Sequence, residues 1–249
     1  MAKYSDEEWE LRCDLAAAYR LLAMYGMDDL VFTHQSVRIP GGQHRFLLNP
    51  FGLMFDEITA SNLVTVDPEG RVITGEEVSG VNAAGFTIHS AIHMTRPDAV
   101  CVMHTHTTAN MAVAAQAEGL LPLNQMSMEF YNRLSYHDYE GIALDLDERD
   151  RLVRDLGDNN VMVLRNHGLL TVGRSVGEAF YYTYYFEQAA RLQIAAMTGG
   201  AKLVTPPDKV AEHTAQQFNR TSSNSAGKGS RPWAALRRRL DRECPDYKT

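Results

Sequence analysis

The stretch "VCVMHTHTTANMAV", Val100 to Val113, constrains the fold more than any other, because two histidines one residue apart close an apolar run. On a helix, positions i and i+2 point in different directions, whereas on a strand they leave the same face. Val100 to Met103 therefore reads as a short buried strand, with His104 and His106 side by side at its end. Two imidazoles held together point to a shared ligand, and a metal ion is the first candidate.

The rest of the chain supplies that strand's neighbours. Ser5-Asp6-Glu7-Glu8 fits a capping box before an amphipathic helix that runs to Met24 and ends at Gly26. From Leu30 to Gly75 come short strands, "LVFTHQSVRI", "HRFLLNP" and "LVTVDPEGRVITG", the last with a hairpin turn at Asp67-Pro68-Glu69-Gly70. Asn82 is placed to cap a helix that must stop before Pro97, and an Ala-rich helix starts near Thr108. Beyond Tyr139 the pattern gives a strand "GIALD", a charged helix "DERDRLVRDLG", and two strands in "NVMVLRNHGLLTVG" broken at Asn166-His167-Gly168. Ser175-Val176-Gly177-Glu178 opens a helix towards Met197. This irregular alternation predicts a mixed sheet with helices packed on it. From about Thr214 to Ser230 the chain turns polar and reads as a flexible linker, followed by a short basic helix, "RPWAALRRRLDREC". The expected division is a main domain over residues 1–213 and a linker plus helix over 214–249.

Charge and composition remove several roles. A net charge of -7 over 249 residues argues against a general nucleic-acid binder. No run of 18 apolar residues could cross a membrane, and the polar, acidic start lacks a secretory pattern, so a cytoplasmic protein is expected. Cys13, Cys101 and Cys244 are odd in number and far apart, which fits reduced thiols. Arg237, Arg238 and Arg239 admit a nucleic-acid or membrane patch, but a helix packing Trp233, Leu236 and Leu240 onto the body is the simpler reading.

His167 is the best third partner for His104 and His106, since it ends another apolar strand before a glycine that allows a sharp turn. Three neutral imidazoles with an open position suit Zn²⁺ and also accept Fe²⁺, Mn²⁺ or Co²⁺. A packed or hydrogen-bonded strand end is the competing reading.

At these residues the chain resembles a known family. "VNAAGFTIHSAIHMTRPDAVCVMHTHT" and "VLRNHGLLTVGRSVGEAFYYTYYFEQAAR" closely resemble the class II aldolase/adducin family. "RFLLNPFGLMFDEITASNLVTVD" and "YHDYEGI" look most like the adducin head domain, and the resemblance runs from about Leu11 to Met197. It implies a three-layer α/β/α fold with a central mixed, mainly antiparallel sheet, and a cyclic homotetramer. It also implies one divalent metal per chain, zinc foremost, near subunit boundaries, with His104, His106 and His167 at the family's metal positions.

Two departures bear on chemistry. In the family's sugar-phosphate aldolases the metal is a Lewis acid and a glutamate shuttles a proton; the glutamate's place falls on Gly85. The groups that would hold a phosphate are replaced by Thr33-His34, Phe51-Gly52 and Ala83-Ala84. A sugar phosphate is therefore not the expected substrate. Tyr136 resembles a tyrosine that some family aldolases contribute from a neighbouring subunit as proton donor, against the alternative of a buried aromatic. Glu129 is the nearest acid that could serve as base or fourth ligand, and surface placement is its competing reading. His34, Asn49 and Gly52 fall where substrate-facing groups would lie. His89 and His93, i and i+4 on one helix face with no glutamate between them, read as structural. The aromatic run "FYYTYYF", Phe180 to Phe186, reads as core plus subunit interface.

Three functions remain open at this stage. The first is a metal-dependent lyase-like enzyme, cleaving a C–C bond or decarboxylating a small non-phosphorylated hydroxy or oxo acid. The second is a non-heme Fe(II) oxygenase on the same fold. The third is a non-catalytic oligomerisation or interaction module like the adducin heads, which share a glycine at the glutamate's place.

Overall fold

Helix α1 (Asp6–Met24) starts where the Ser5 side chain accepts the Glu8 backbone N–H at 3.2 Å, as the Ser-x-x-Glu spacing predicts. The structure, a computed structural model, describes residues 4–41, 44–74, 80–141, 147–222 and 227–249. Four short strands follow: β1 (His34–Arg38), β2 (Phe46–Leu48), β3 (Val64–Val66) and β4 (Val72–Thr74). The Asp67 carboxylate accepts the Glu69 and Arg71 backbone N–H groups and closes the hairpin turn between β3 and β4. The Asn82 side chain then caps α2 (Ala83–Thr95), which stops two residues before Pro97.

The histidine strand is β5 (Cys101–Thr105), followed by α3 (Thr108–Ala114), α4 (Gln125–Met128) and β6 (Ser135–His137). The strand expected in "GIALD" lies almost wholly outside the described residues. Next come α5 (Glu148–Leu156), β7 (Val161–Leu164), β8 (Gly168–Gly173) and α6 (Val176–Met197), the last capped by Ser175. Where a flexible linker was expected, α7 (Asp208–Ser222) is helical over the first half of that stretch. Its amphipathic pattern settles the matter: Ala211 and Ala215, four apart, are both buried on one side of it. The chain ends with α8 (Ser230–Glu243).

All eight strands join one sheet in the order β4-β3-β2-β1-β5-β8-β7-β6. Every pairing is antiparallel except β6 with β7, so the sheet is mixed and mainly antiparallel, as expected. Side chains along β5 alternate between two cores. Cys101 and Met103 join the core with α1, α6 and α8, while Val102 joins Ile88, Ile92, Leu152 and Leu156 of α2 and α5. Helices thus cover both faces, giving the α/β/α layering.

The C-terminal helix packs onto the body instead of offering a basic patch. Trp233 donates to Asp14 at 3.0 Å, Arg237 pairs with the same carboxylate, and Arg239 pairs with Glu243. Leu240 is fully buried in the α1 core. Leu240→Ala is expected to cost about 2–5 kcal/mol, the range for emptying a buried leucine. A urea midpoint for the whole chain that did not move would show α8 to be an independent appendage. On α6, Phe180 and Phe186 are core, while Tyr181, Tyr184 and Tyr185 are partly buried along a cleft of about 430 Å³ against α8. No helix among the described residues is long and apolar enough to cross a membrane.

Candidate metal centre

Three imidazoles meet where β5 and the β7–β8 turn end side by side. The ring centroids of His104, His106 and His167 lie 4.5–4.9 Å apart, and a ligand nitrogen from each lies within 4.8 Å of the others. The sharp turn before β8 is made by Asn166, whose φ is 56°, and not by Gly168 as the sequence suggested. Gly168 serves a different need, since a Cβ there would lie 2.5 Å from the Thr105 carbonyl oxygen and 3.1 Å from the His106 ring. Only a residue without a side chain lets the two strand ends close around the histidines.

The hydrogen bonds behind the rings fix their tautomers. His104 Nδ1 donates to the Leu169 carbonyl at 2.8 Å, and His106 Nδ1 donates to the Asp29 carboxylate at 3.0 Å. In the neutral rings both Nε2 atoms then carry lone pairs, yet they face each other at 2.7 Å. Two bare acceptors that close call for a cation between them. A carbonyl or carboxylate behind a ligating imidazole is the usual outer support of a metal site. Burial disfavours the charged ring, which holds His104 well below its ordinary pKa and His167 down at about 4, with the neighbouring histidines adding to both shifts. Burial thus keeps His104 and His167 neutral and ready to ligate at physiological pH, and the three converging rings fit a divalent ion.

A cavity of about 250 Å³ opens over the three rings, lined also by Asp29, His34, Asn82, Gly85, Ile88 and Tyr139. Among the described residues no lysine or arginine lines it. His34 is buried at 2% exposure, lies opposite His104 in the β1–β5 register, and is held down at about 4 chiefly by burial. Beneath it lies the His89 ring, its centroid 4.0 Å away and its plane tilted by 35°. His93 Nδ1 donates to the Ala99 carbonyl, so its Nε2 accepts from the Ser36 hydroxyl, which in turn accepts from His89 Nδ1. These two histidines are scaffold, as their spacing without a glutamate implied.

The other expected site residues lie elsewhere within the chain. Glu129 is buried in an ion pair with Lys228 at 2.5 Å and accepts from the Tyr181 hydroxyl at 3.1 Å; it belongs to a separate cleft. Its carboxylate is committed because Lys228 arrives from the chain just before α8. The Tyr136 hydroxyl accepts the Leu120 N–H at 3.0 Å and its ring packs against Gly119 and the Arg165 guanidinium. The tyrosine at the cavity is Tyr139, three residues on, 6.4 Å from the His167 ring. Asn49 accepts from the buried Tyr19 hydroxyl, and neither it nor Gly52 lines the cavity. Asp29 was missed because it sits in a short loop whose Leu30 and Thr33 both adopt positive φ, a geometry no propensity signals for those residues. The pair Asp28-Asp29 before the first strand was its one trace in the sequence.

The comparisons agree with this geometry. The family model for the class II aldolase and adducin N-terminal domain matches residues 13–194. An aldolase II superfamily protein from Pseudomonas syringae is 50% identical, with a TM-score of 0.92 over 99% of this chain and 98% of that one. L-fuculose 1-phosphate aldolase from Glaciozyma antarctica is 28% identical, with a TM-score of 0.84 over 100% of this chain and 97% of that one. Alpha-adducin of Rattus norvegicus is 40% identical over 91% of this chain, which spans 31% of the adducin's length. With the family match, the sheet and the histidine set in agreement, this chain belongs to the class II aldolase and adducin family.

Proposed function

We propose that the chain is a divalent-metal-dependent enzyme of the lyase kind, acting on a small, non-phosphorylated hydroxy or oxo acid by C–C cleavage or decarboxylation. The carrying observation is the convergence of His104, His106 and His167, with two of the three outward nitrogens tied to the Leu169 carbonyl and Asp29. These residues hold the ion, zinc in the first instance, and when bound it supplies Lewis-acid polarisation of a carbonyl or hydroxyl oxygen. Asp29 and the Leu169 carbonyl orient the ligating rings. His34, Asn82 and Tyr139 offer polar groups for a substrate, and Phe32 and Ile88 give the cavity an apolar wall.

The replaced phosphate-binding groups argue for the substrate class. A phosphate would find Thr33-His34, Phe51-Gly52 and Ala83-Ala84 where the family's sugar-phosphate aldolases hold it. Gly85 offers no side chain to move a proton, and losing such a group typically costs about a hundred- to ten-thousand-fold in rate. Cleavage of L-fuculose 1-phosphate is therefore expected to be at least about a hundred-fold slower than by an aldolase that keeps its acid–base group. Rapid turnover of that substrate would overturn this reading of the site.

The deciding experiment is reconstitution of apo-protein with Zn²⁺ or Fe²⁺, a panel of hydroxy and oxo acids, and simultaneous measurement of product and oxygen uptake. Turnover with zinc and no oxygen consumption supports the lyase, while iron-specific oxygen uptake makes it an oxygenase. The 40% identity to alpha-adducin, together with Gly85, favours a second reading, a non-catalytic module. Absence of turnover across the panel, with His167→Ala lowering stability or assembly, would select it. In either case a homotetramer is proposed, because the partly buried tyrosines of α6 line a cleft of about 430 Å³ against α8, aromatic surface of the kind that subunit interfaces cover. Light scattering at micromolar concentration should give about four times the monomer mass; a stable monomer would contradict it.

A further inference from the structure

We propose that His34 and Gly85 are an interlocked pair, the His34 imidazole filling the space any side chain at position 85 would need and serving as the polar group that contacts a small substrate there. The inference rests on the metal reading above for its second half only.

The first half is steric. A Cβ built on Gly85 would lie 1.7 Å from His34 Cε1, 2.4 Å from Nδ1 and 2.7 Å from Nε2. No rotation of a side chain at 85 relieves a clash at its first atom, so a glutamate at 85 and the observed His34 ring exclude each other. His34 comes from β1 and Gly85 from the first turn of α2, so neither residue alone announces the other.

The second half comes from what His34 lacks. The ring is 2% exposed, and neither buried nitrogen makes a well-formed hydrogen bond, although the Gly85 backbone lies close enough to favour its charged form. Its flat underside is occupied by His89, which the chain through Ser36, His93 and the Ala99 carbonyl holds in place. Its remaining surroundings include the cavity it shares with His104, His106 and His167. A buried imidazole seated on a fixed ring, with no well-formed hydrogen bond and lining a cavity, is built to bond something that enters. The partner is a hydroxyl, carbonyl or carboxylate oxygen of a molecule small enough to sit between His34 and the three histidines.

Two measurements test the halves separately. A stability cycle without metal compares Gly85→Ala, His34→Gly and the double variant. Gly85→Ala is expected to lower the melting temperature markedly, and adding His34→Gly should restore most of the loss. Equal stability of Gly85→Ala and the parent, or no rescue in the double variant, overturns the interlock. For the contact, Co²⁺-loaded protein is titrated with acetohydroxamate, a small bidentate chelator, and followed by its visible spectrum. His34→Phe, with His34→Gln as a second variant in case the first misfolds, should weaken acetohydroxamate binding about tenfold and leave the Co²⁺ affinity of the protein intact. Unchanged acetohydroxamate binding overturns the contact, and loss of Co²⁺ binding would instead make His34 a ligand. A parent that binds no Co²⁺ defeats the metal reading and the contact with it, while the stability cycle still decides the interlock.

Discussion

His106→Ala is expected to take the protein from about one bound divalent ion per chain to almost none, with activity falling to background. The reason is the size of the set: with three protein ligands, removing one leaves two imidazoles and no closed arrangement. Replacing an outer partner costs roughly 10–100-fold in metal affinity, so Asp29→Ala should fall in that range and His106→Ala well beyond it. The two variants separate ligand from support because the Asp29 carboxylate bonds His106 Nδ1, the ring nitrogen opposite the one that faces His104. Elemental analysis after metal-supplied expression, followed by chelator competition, measures both. Equal metal in parent and His106→Ala would eliminate the site, and an Asp29→Ala loss as large as that of His106→Ala would make the carboxylate a ligand.

Acid should destabilise the metal-free protein progressively as pH falls below 6.5. Burial is the main cause that holds His34 at about 4 and His93 at about 3, and it puts His89 well below the ordinary 6.5. Above pH 6.5 these rings are neutral folded or unfolded, and stability does not depend on them. As pH falls below 6.5 the unfolded chain takes up protons that the folded one refuses, so the folded state loses ground until its own rings protonate near 3 to 4. At pH 5 each such ring costs about 2 kcal/mol. His34 and His93 together then remove about 4 kcal/mol, a large part of the 5–15 kcal/mol typical of a domain. Urea titrations of chelator-treated protein at pH 7 and pH 5 read this directly. His93→Gln should shrink the difference between the two pH values by about 2 kcal/mol; an unchanged difference would show that carboxylates, not the buried histidines, govern acid sensitivity.

Local physics made much of this molecule readable in advance. Period-two alternation placed His104 on a strand end, Ser5, Asn82 and Ser175 marked helix starts, and Pro97 bounded α2. Those are interactions within a few residues, so a linear string carries them. Glu129, Tyr136, Asn49 and Gly52 could not be placed in the same way, because a side chain's surroundings depend on which distant element arrives beside it. Lys228 takes Glu129 from across 99 residues of chain, Tyr19 claims Asn49, and the Leu120 N–H claims Tyr136.

By itself, then, the sequence determined the helix starts at Ser5, Asn82 and Ser175, the mixed sheet with helices on it, and three histidines of the right kind at strand ends. The tertiary structure alone decided that Asp29 stands behind His106, that Tyr139 lines the chain's own cavity, and that Gly168 is needed for approach and not for a turn. It also decided that His34 occupies the space beside Gly85. Periodicity and capping follow from bonds along one chain segment, whereas occupancy of a given few cubic ångströms follows from the packing of segments that the sequence keeps far apart.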